Sequence, residues 1–150
     1  MTDSIDRLVR GLRRISHALS IHSKQTLETH RVTMPQLVCL LALSRKGAVP
    51  LSALTEPLAL NNSTVTGIVD RLERRGMVRR VRLGTDRRRV HVELTSAGER
   101  FLATAPPPVH ADFIDRLQTL SPGEIETLLW AIETLAEMLS ASGPIEKGRP

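Results

Sequence analysis

Disulfides, aromatic platforms and membrane-length apolar runs are all missing from this 150-residue chain. A single cysteine, Cys39, rules out an intramolecular disulfide framework and fits a reducing compartment. There is no Tyr, and only two Phe and one Trp represent the aromatic residues. The ring platforms on which single-stranded nucleic acid stacks are therefore not available. No apolar run reaches membrane-spanning length, and the opening MTDSIDRLVRG has acids and arginines where a signal peptide needs an apolar core. The expectation is a cytoplasmic protein with no membrane partner. Nucleophile elbow, phosphate loop and metal cluster are absent too, and His17, His22, His30 and His110 include no close pair at ligand spacing. Neither an enzyme, nor a cofactor, nor a metal is expected. What remains is enough for a real core, since 41% of the residues are apolar.

The informative stretch is Asn61–Leu94, which changes period halfway. Val65, Ile68, Val69 and Leu72 recur at i, i+3, i+4 and i+7, one apolar face of a helix. Ser63, Gly67, Asp70 and Arg74 fall opposite, flanked by Thr66 and Arg71. Asn61 suits the cap of this helix, and Gly76 after a basic last turn stops it. Beyond Gly76 the period becomes two: Val81 and Leu83 alternate with Arg80 and Arg82, then Val90, Val92 and Leu94 with Arg89, His91 and Glu93. That pattern predicts a hairpin whose loop spans about Gly84–Arg88. Residues 71–89 carry nine arginines against Glu73 and Asp86, net +7 in a chain whose total is only +5. The remainder is slightly acidic, so the basicity is one patch. A solvated charged face is the bland explanation for one basic helix. A basic helix joined to a basic hairpin in an otherwise acidic chain points instead to phosphate neutralisation.

Helical segments surround this unit. Ser4–Glu28 reads as a long amphipathic helix with Ile5, Leu8, Leu12, Ile15 and Leu19 on one stripe. A second helix begins at Thr33, where Thr33 and Gln36 have capping-box spacing, and ends at Lys46-Gly47. It is apolar nearly all round and is expected to be buried, with Cys39 as a packing residue. Leu51–Leu58 reads as the short first helix of a helix-turn-helix. Pro57 makes it either short and distorted or late in starting. After the hairpin, Ser96 and Glu99 have capping-box spacing, and Pro106-Pro107-Pro108 predicts a break before a helix resumes over Val109–Leu120. Ser121-Pro122-Gly123-Glu124 starts a last helix striped by Ile125, Leu128, Leu129, Ile132, Leu135 and Leu139, with Trp130 and Met138 beside it.

Thr33-Met34-Pro35-Gln36-Leu37, Asn62-Ser63-Thr64-Val65-Thr66, Ile68 through Val78, Asp86-Arg87-Arg88 and Leu94-Thr95-Ser96-Ala97-Gly98 stand in order. This ordered set resembles the MarR (multiple antibiotic resistance regulator) family of transcription factors. The resemblance implies a mainly α fold with a small β-hairpin wing: a winged helix-turn-helix over 33–95, with 1–32 and 96–141 as a helical dimerisation scaffold and 142–150 as a flexible tail. It implies a homodimer on double-stranded, pseudo-palindromic DNA, in most relatives a repressor released by a small aromatic or phenolic effector. Asn62, Ser63, Thr64 and Thr66, with Arg71 and Arg74, would meet the major groove and its phosphates, and Arg88, with Arg87 and Arg89, the minor groove. Asp86 would support the wing. His17, Ser20, Gln36, Leu40 and Phe101 are the candidate effector-binding residues. Sensing cysteines of relatives stand in the first helix, which here has none.

Three departures carry expectations. Gly67 stands where relatives usually carry a larger, often basic residue, so one base or phosphate contact is expected to be lost. Pro57 disturbs the helix before the turn. Pro106-Pro107-Pro108 interrupts the helix linking wing and scaffold. The competing reading is a winged-helix module that binds protein, but such a module would expose apolar side chains where this chain has hydroxyls and arginines.

Overall fold

The computed structural model describes residues 2–83 and 90–140. They form α1 (Thr2–His30), α2 (Met34–Lys46), β1 (Val49–Pro50), a 3-10 turn (Leu51–Leu54), α3 (Thr55–Leu58), α4 (Asn62–Arg74), β2 (Val78–Arg82), β3 (Val90–Leu94), α5 (Ser96–Thr104), α6 (Ala111–Gln118) and α7 (Pro122–Ser140). Two compact units result, one to Val109 and one from His110. The larger contains the expected winged helix-turn-helix together with α1 and α5. Among the described residues no helix is long and apolar enough to cross a membrane.

The core of the larger unit is built on α2. The Thr33 N–H donates to Gln36 Oε1 at 3.0 Å, closing one half of the anticipated capping box. Gly47, at φ 71, ends the helix by donating to the Leu43 carbonyl. Leu37, Cys39, Leu40 and Leu43 are buried, and Cys39, Leu40 and Leu43 share one core with Val65, Ile68, Val69 and Leu72 of α4 and with Leu54, Val78 and Val92. Burying each of these α4 side chains is worth about 1.5–3 kcal/mol. Of the two readings of Pro57, the short, distorted helix is the observed one. α3 is a single turn after a 3-10 turn, and Pro57 is its third residue, where the missing N–H has no intrahelical partner to lose.

α4 ends in a Schellman motif. Gly76, at φ 69, donates to the Glu73 carbonyl at 2.8 Å, and Met77 donates to the Leu72 carbonyl at 3.0 Å. The chain then enters the wing, where β2 and β3 pair antiparallel with Val78 opposite Leu94, Arg80 opposite Val92 and Arg82 opposite Val90. β1 adds an edge strand to β3, giving the order β1-β3-β2. Two residues ending in proline give no period in the sequence, and proline is tolerated at an edge; this third strand was not anticipated.

The start of α5 corrects the sequence reading by one residue. Thr95, not Ser96, is the cap: its backbone is extended and its Oγ1 accepts from the Gly98 N–H at 3.2 Å. The same hydroxyl donates to the Gly76 carbonyl, and the Thr95 N–H to the Met77 carbonyl. α5 stops at Thr104 before the prolines, and the next helix begins at Ala111 rather than Val109. His22, buried on α1, donates Nε2–H to the Pro107 carbonyl at 3.0 Å, which seats the proline run on α1. In the smaller unit the Ser121–Glu124 capping box is formed, the Ser121 N–H donating to Glu124 Oε2 at 2.8 Å. The Ser121 hydroxyl and N–H hold that carboxyl below its ordinary range.

Two outcomes are expected. A Cβ on Gly98 would lie 2.2 Å from the Met77 carbonyl oxygen, so Gly98→Ala costs about 3 kcal/mol, read by urea denaturation. Burial pushes the Cys39 thiol up to about 11. A thiol reagent at pH 8 therefore labels Cys39 only at the rate of unfolding, and labelling of the folded protein as fast as of the urea-unfolded chain would contradict this burial.

Candidate nucleic-acid interface

α4 presents its polar face because its apolar face is consumed by the core. Asn61 caps it, its Oδ1 accepting from the Thr64 N–H at 2.9 Å and from the Ser63 hydroxyl at 2.8 Å. Thr66 donates its hydroxyl to the Asn62 carbonyl at 2.8 Å. Asn62, Ser63 and Thr64 are exposed and Thr66 half-buried. The Ser63 and Thr66 hydroxyl protons are spent inside the helix, so both oxygens face outward as acceptors. An acceptor matches the exocyclic amino groups of cytosine and adenine in the major groove and has nothing to offer a phosphate.

The basic patch sorts into committed and available arginines. Arg79 on β2 pairs across the ladder with Glu93 at 2.7 Å. Arg80 reaches back to α4, donating through Nη2 to Asp70 at 2.6 Å and through Nη1 to Glu73, while its backbone N–H donates to the other Glu73 oxygen at 3.1 Å. Hydrogen bonding to Asp70 first, then to Glu73, raises the Arg80 guanidinium further above its ordinary value against the lowering effect of burial. This three-residue clamp fixes the wing against the recognition helix. Arg75 donates Nη1–H to the Arg31 carbonyl at 2.5 Å, tying the end of α4 to the end of α1. Arg71 and Arg74 fold along α4, each Nε–H bonded to the carbonyl four residues back, at 2.9 and 3.3 Å. Both are exposed, as is Arg82, and none of the three forms an ion pair among the described residues.

Asp86, Arg87, Arg88 and Arg89, expected at the wing tip, lie outside the described residues. Wing support nevertheless has an observed basis in Asp70 and Glu73, which the sequence reading had placed on the helix without a role. The available signal was their i, i+3 spacing on α4 beside an alternating arginine strand. The five effector candidates do not share one environment. Leu40 is fully buried in the core, and the Gln36 carboxamide oxygen is spent on the Thr33 N–H. His17 and Ser20 are exposed on α1, and Phe101 is half-buried with its ring edge-on to His30.

Comparison with known proteins identifies similar chains. A model of the MarR family matches residues 32–90. The Bacillus subtilis (strain 168) HTH-type transcriptional regulator YfiV is 31% identical over 108 residues, 72% of this chain and 68% of that protein. Transcriptional regulator HosA of Escherichia coli O157:H7 is 36% identical over 89 residues, 57% of this chain and 66% of that one. The chain thus spans about two thirds of the length of these relatives. Among solved structures, Bordetella bronchiseptica BpsR, described with the regulation of its DNA binding by 6-hydroxynicotinic acid, matches at 27% identity and TM-score 0.63. That match covers 89% of this chain and 98% of that one.

The clamp makes a quantitative claim. Asp70 and Glu73 are 48% and 38% exposed, so solvent screens part of the attraction. Arg80→Ala is expected to lower stability by about 1–2 kcal/mol, and Arg79→Ala, whose side chain is mostly in water, by less than about 1 kcal/mol. Urea denaturation of the two variants checks the order, and equal losses would count against the clamp.

Proposed function

The chain belongs to the MarR family of DNA-binding transcriptional regulators, and from that premise we propose that it is a ligand-responsive homodimeric repressor of a pseudo-palindromic operator. The observation that carries this reading is α4 itself, a capped helix whose buried face is fully apolar and whose exposed face holds acceptor hydroxyls and arginines that form no ion pair among the described residues. In this reading Asn62, Ser63, Thr64, Thr66, Arg71 and Arg74 lie along the major groove. Arg87, Arg88 and Arg89 of the wing enter the minor groove, where guanidinium meets the most negative potential.

The dimer is supported by apolar surface left in water. Ile5, Leu8 and Ile15 on α1 are each more than half exposed, and so, on α7, are Trp130, Ile132 and Leu139. Single exposed apolar residues are ordinary, but a helix carrying a stripe of them marks an interface. Residues 1–32 and 96–141 serve as the dimerisation scaffold and 33–95 as the DNA-binding domain; the expected tail, 142–150, lies outside the described residues. A small aromatic effector fits the precedent of BpsR and 6-hydroxynicotinic acid. His17, Ser20 and Phe101 have side-chain surface free for such a ligand, whereas Gln36 and Leu40 are committed to the fold. The protein acts in the cytoplasm, where its operator is.

The test is binding to the intergenic DNA beside its own gene against a random duplex of equal length, across salt concentration. A dimer of about twice 16.6 kDa in sedimentation, binding its own duplex selectively at physiological salt, is expected. Arg88→Ala should weaken that binding about 10–100-fold with the dimer intact. Equal, steeply salt-sensitive binding to both duplexes would leave only phosphate contacts and end the operator reading.

A further inference from the structure

Gly67 and Arg71 form one device, and its elements sit in the middle of the exposed face. Ser63, Gly67 and Arg71 stand one helical turn apart on α4. The Arg71 Nε–H is held by the Gly67 carbonyl at 2.9 Å, and Nη2 lies 3.4 Å from the point where a Cβ on residue 67 would be. The guanidinium is therefore laid across the glycine, in the space a larger side chain would occupy. Gly67 has an ordinary helical backbone, with no left-handed turn or close main-chain approach that requires glycine there. A mid-helix glycine weakens a helix, so its use at this position is explained by what it makes room for.

The anchoring decides which atoms are left. With Nε used inside the protein, the two Nη groups remain as an end-on fork of parallel donors. Asp70, the adjacent carboxylate, is taken by Arg80, and among the described residues no acid pairs with that fork. Such a fork is the complement of guanine O6 and N7. We propose that Arg71, seated on Gly67, is the specificity-determining arginine of the recognition helix and reads one guanine in each operator half. The contact expected to be lost at Gly67 is thus supplied from one turn further along. This inference rests on the operator-reading function proposed above.

Selection of duplexes from a library randomised over about 20 base pairs, two half-sites one helical turn apart, tests it, followed by equilibrium binding of the selected duplex and its single-base variants. The wild-type protein is expected to select guanine at one symmetric position in each half. Arg71→Lys keeps the charge and loses the fork. It should bind the selected duplex about 10–100-fold more weakly and no longer distinguish that base pair, with preference elsewhere and the salt slope retained. Gly67→Leu leaves Arg71 in place but occupies its seat, and should erase preference at the same position while thermal melting reports an intact fold. Discrimination unchanged in Arg71→Lys would overturn the proposal. So would Arg71→Ala weakening all duplexes alike with the salt slope lowered by about one, the mark of a phosphate contact. If the wild-type protein selects no consensus, the operator reading and this proposal fall together; failure confined to the variants removes this proposal alone.

Discussion

The peptide at Met77 is the joint on which the larger unit depends. Its N–H closes the end of α4 on the Leu72 carbonyl, and its carbonyl accepts the Thr95 N–H where β3 passes into α5. Gly98 must lack a side chain for α5 to lie against that carbonyl, and Gly76 must take a positive φ for the chain to arrive there. The recognition helix, the root of the wing and the helix leaving the wing therefore share a few main-chain hydrogen bonds. Main-chain groups cannot be re-aimed by a rotamer change, so backbone sets the direction in which the wing leaves α4, and the Arg80 side chain then holds β2 to the helix.

On that joint the protein distributes an excess of positive charge unequally. Arg80 and Arg79 are turned inward or along the sheet toward Asp70, Glu73 and Glu93, and they position parts of the fold. Arg71, Arg74 and Arg82 keep their charge outward. A count of arginines overstates what a polyanion meets, because each internal carboxylate offsets one positive charge. It also understates how well the remainder is placed: Arg71 and Arg74 are anchored through Nε, so less side-chain entropy is left to lose on meeting a partner.

Elements with local causes were legible in the residues. The 65/68/69/72 face, the Asn61 cap, the Gly76 stop, the two wing strands and the Ser121–Glu124 start each depend on residues a few positions apart, and each is found. What escaped depends on residues far apart or on competition between neighbours. β1 is defined only by its pairing with β3, which sets Val49 opposite Val92 and Pro50 opposite His91. The Arg80 clamp requires α4 and β2 to be folded together before Asp70 acquires a partner. Thr95 displaces Ser96 as cap because its hydroxyl bonds the Gly98 N–H and the Gly76 carbonyl at once, a choice invisible without the turn beside it. The engagement of Gln36 by its own helix end and of Leu40 by the core likewise depends on how those surroundings close.

The bond from Arg75 to the Arg31 carbonyl bears on how such a sequence can drift. Its acceptor belongs to the main chain, so the tie between the first helix and the recognition helix is blind to the side chain at residue 31. What that position must provide is a left-handed backbone, φ 57, which asparagine and glycine adopt at less cost than arginine. The donor has no such latitude, since few side chains combine that reach with a hydrogen-bonding head. Related lineages should therefore keep arginine at the donor and wander among turn-forming residues at the acceptor. The contact would then persist with only half of it visible as sequence identity.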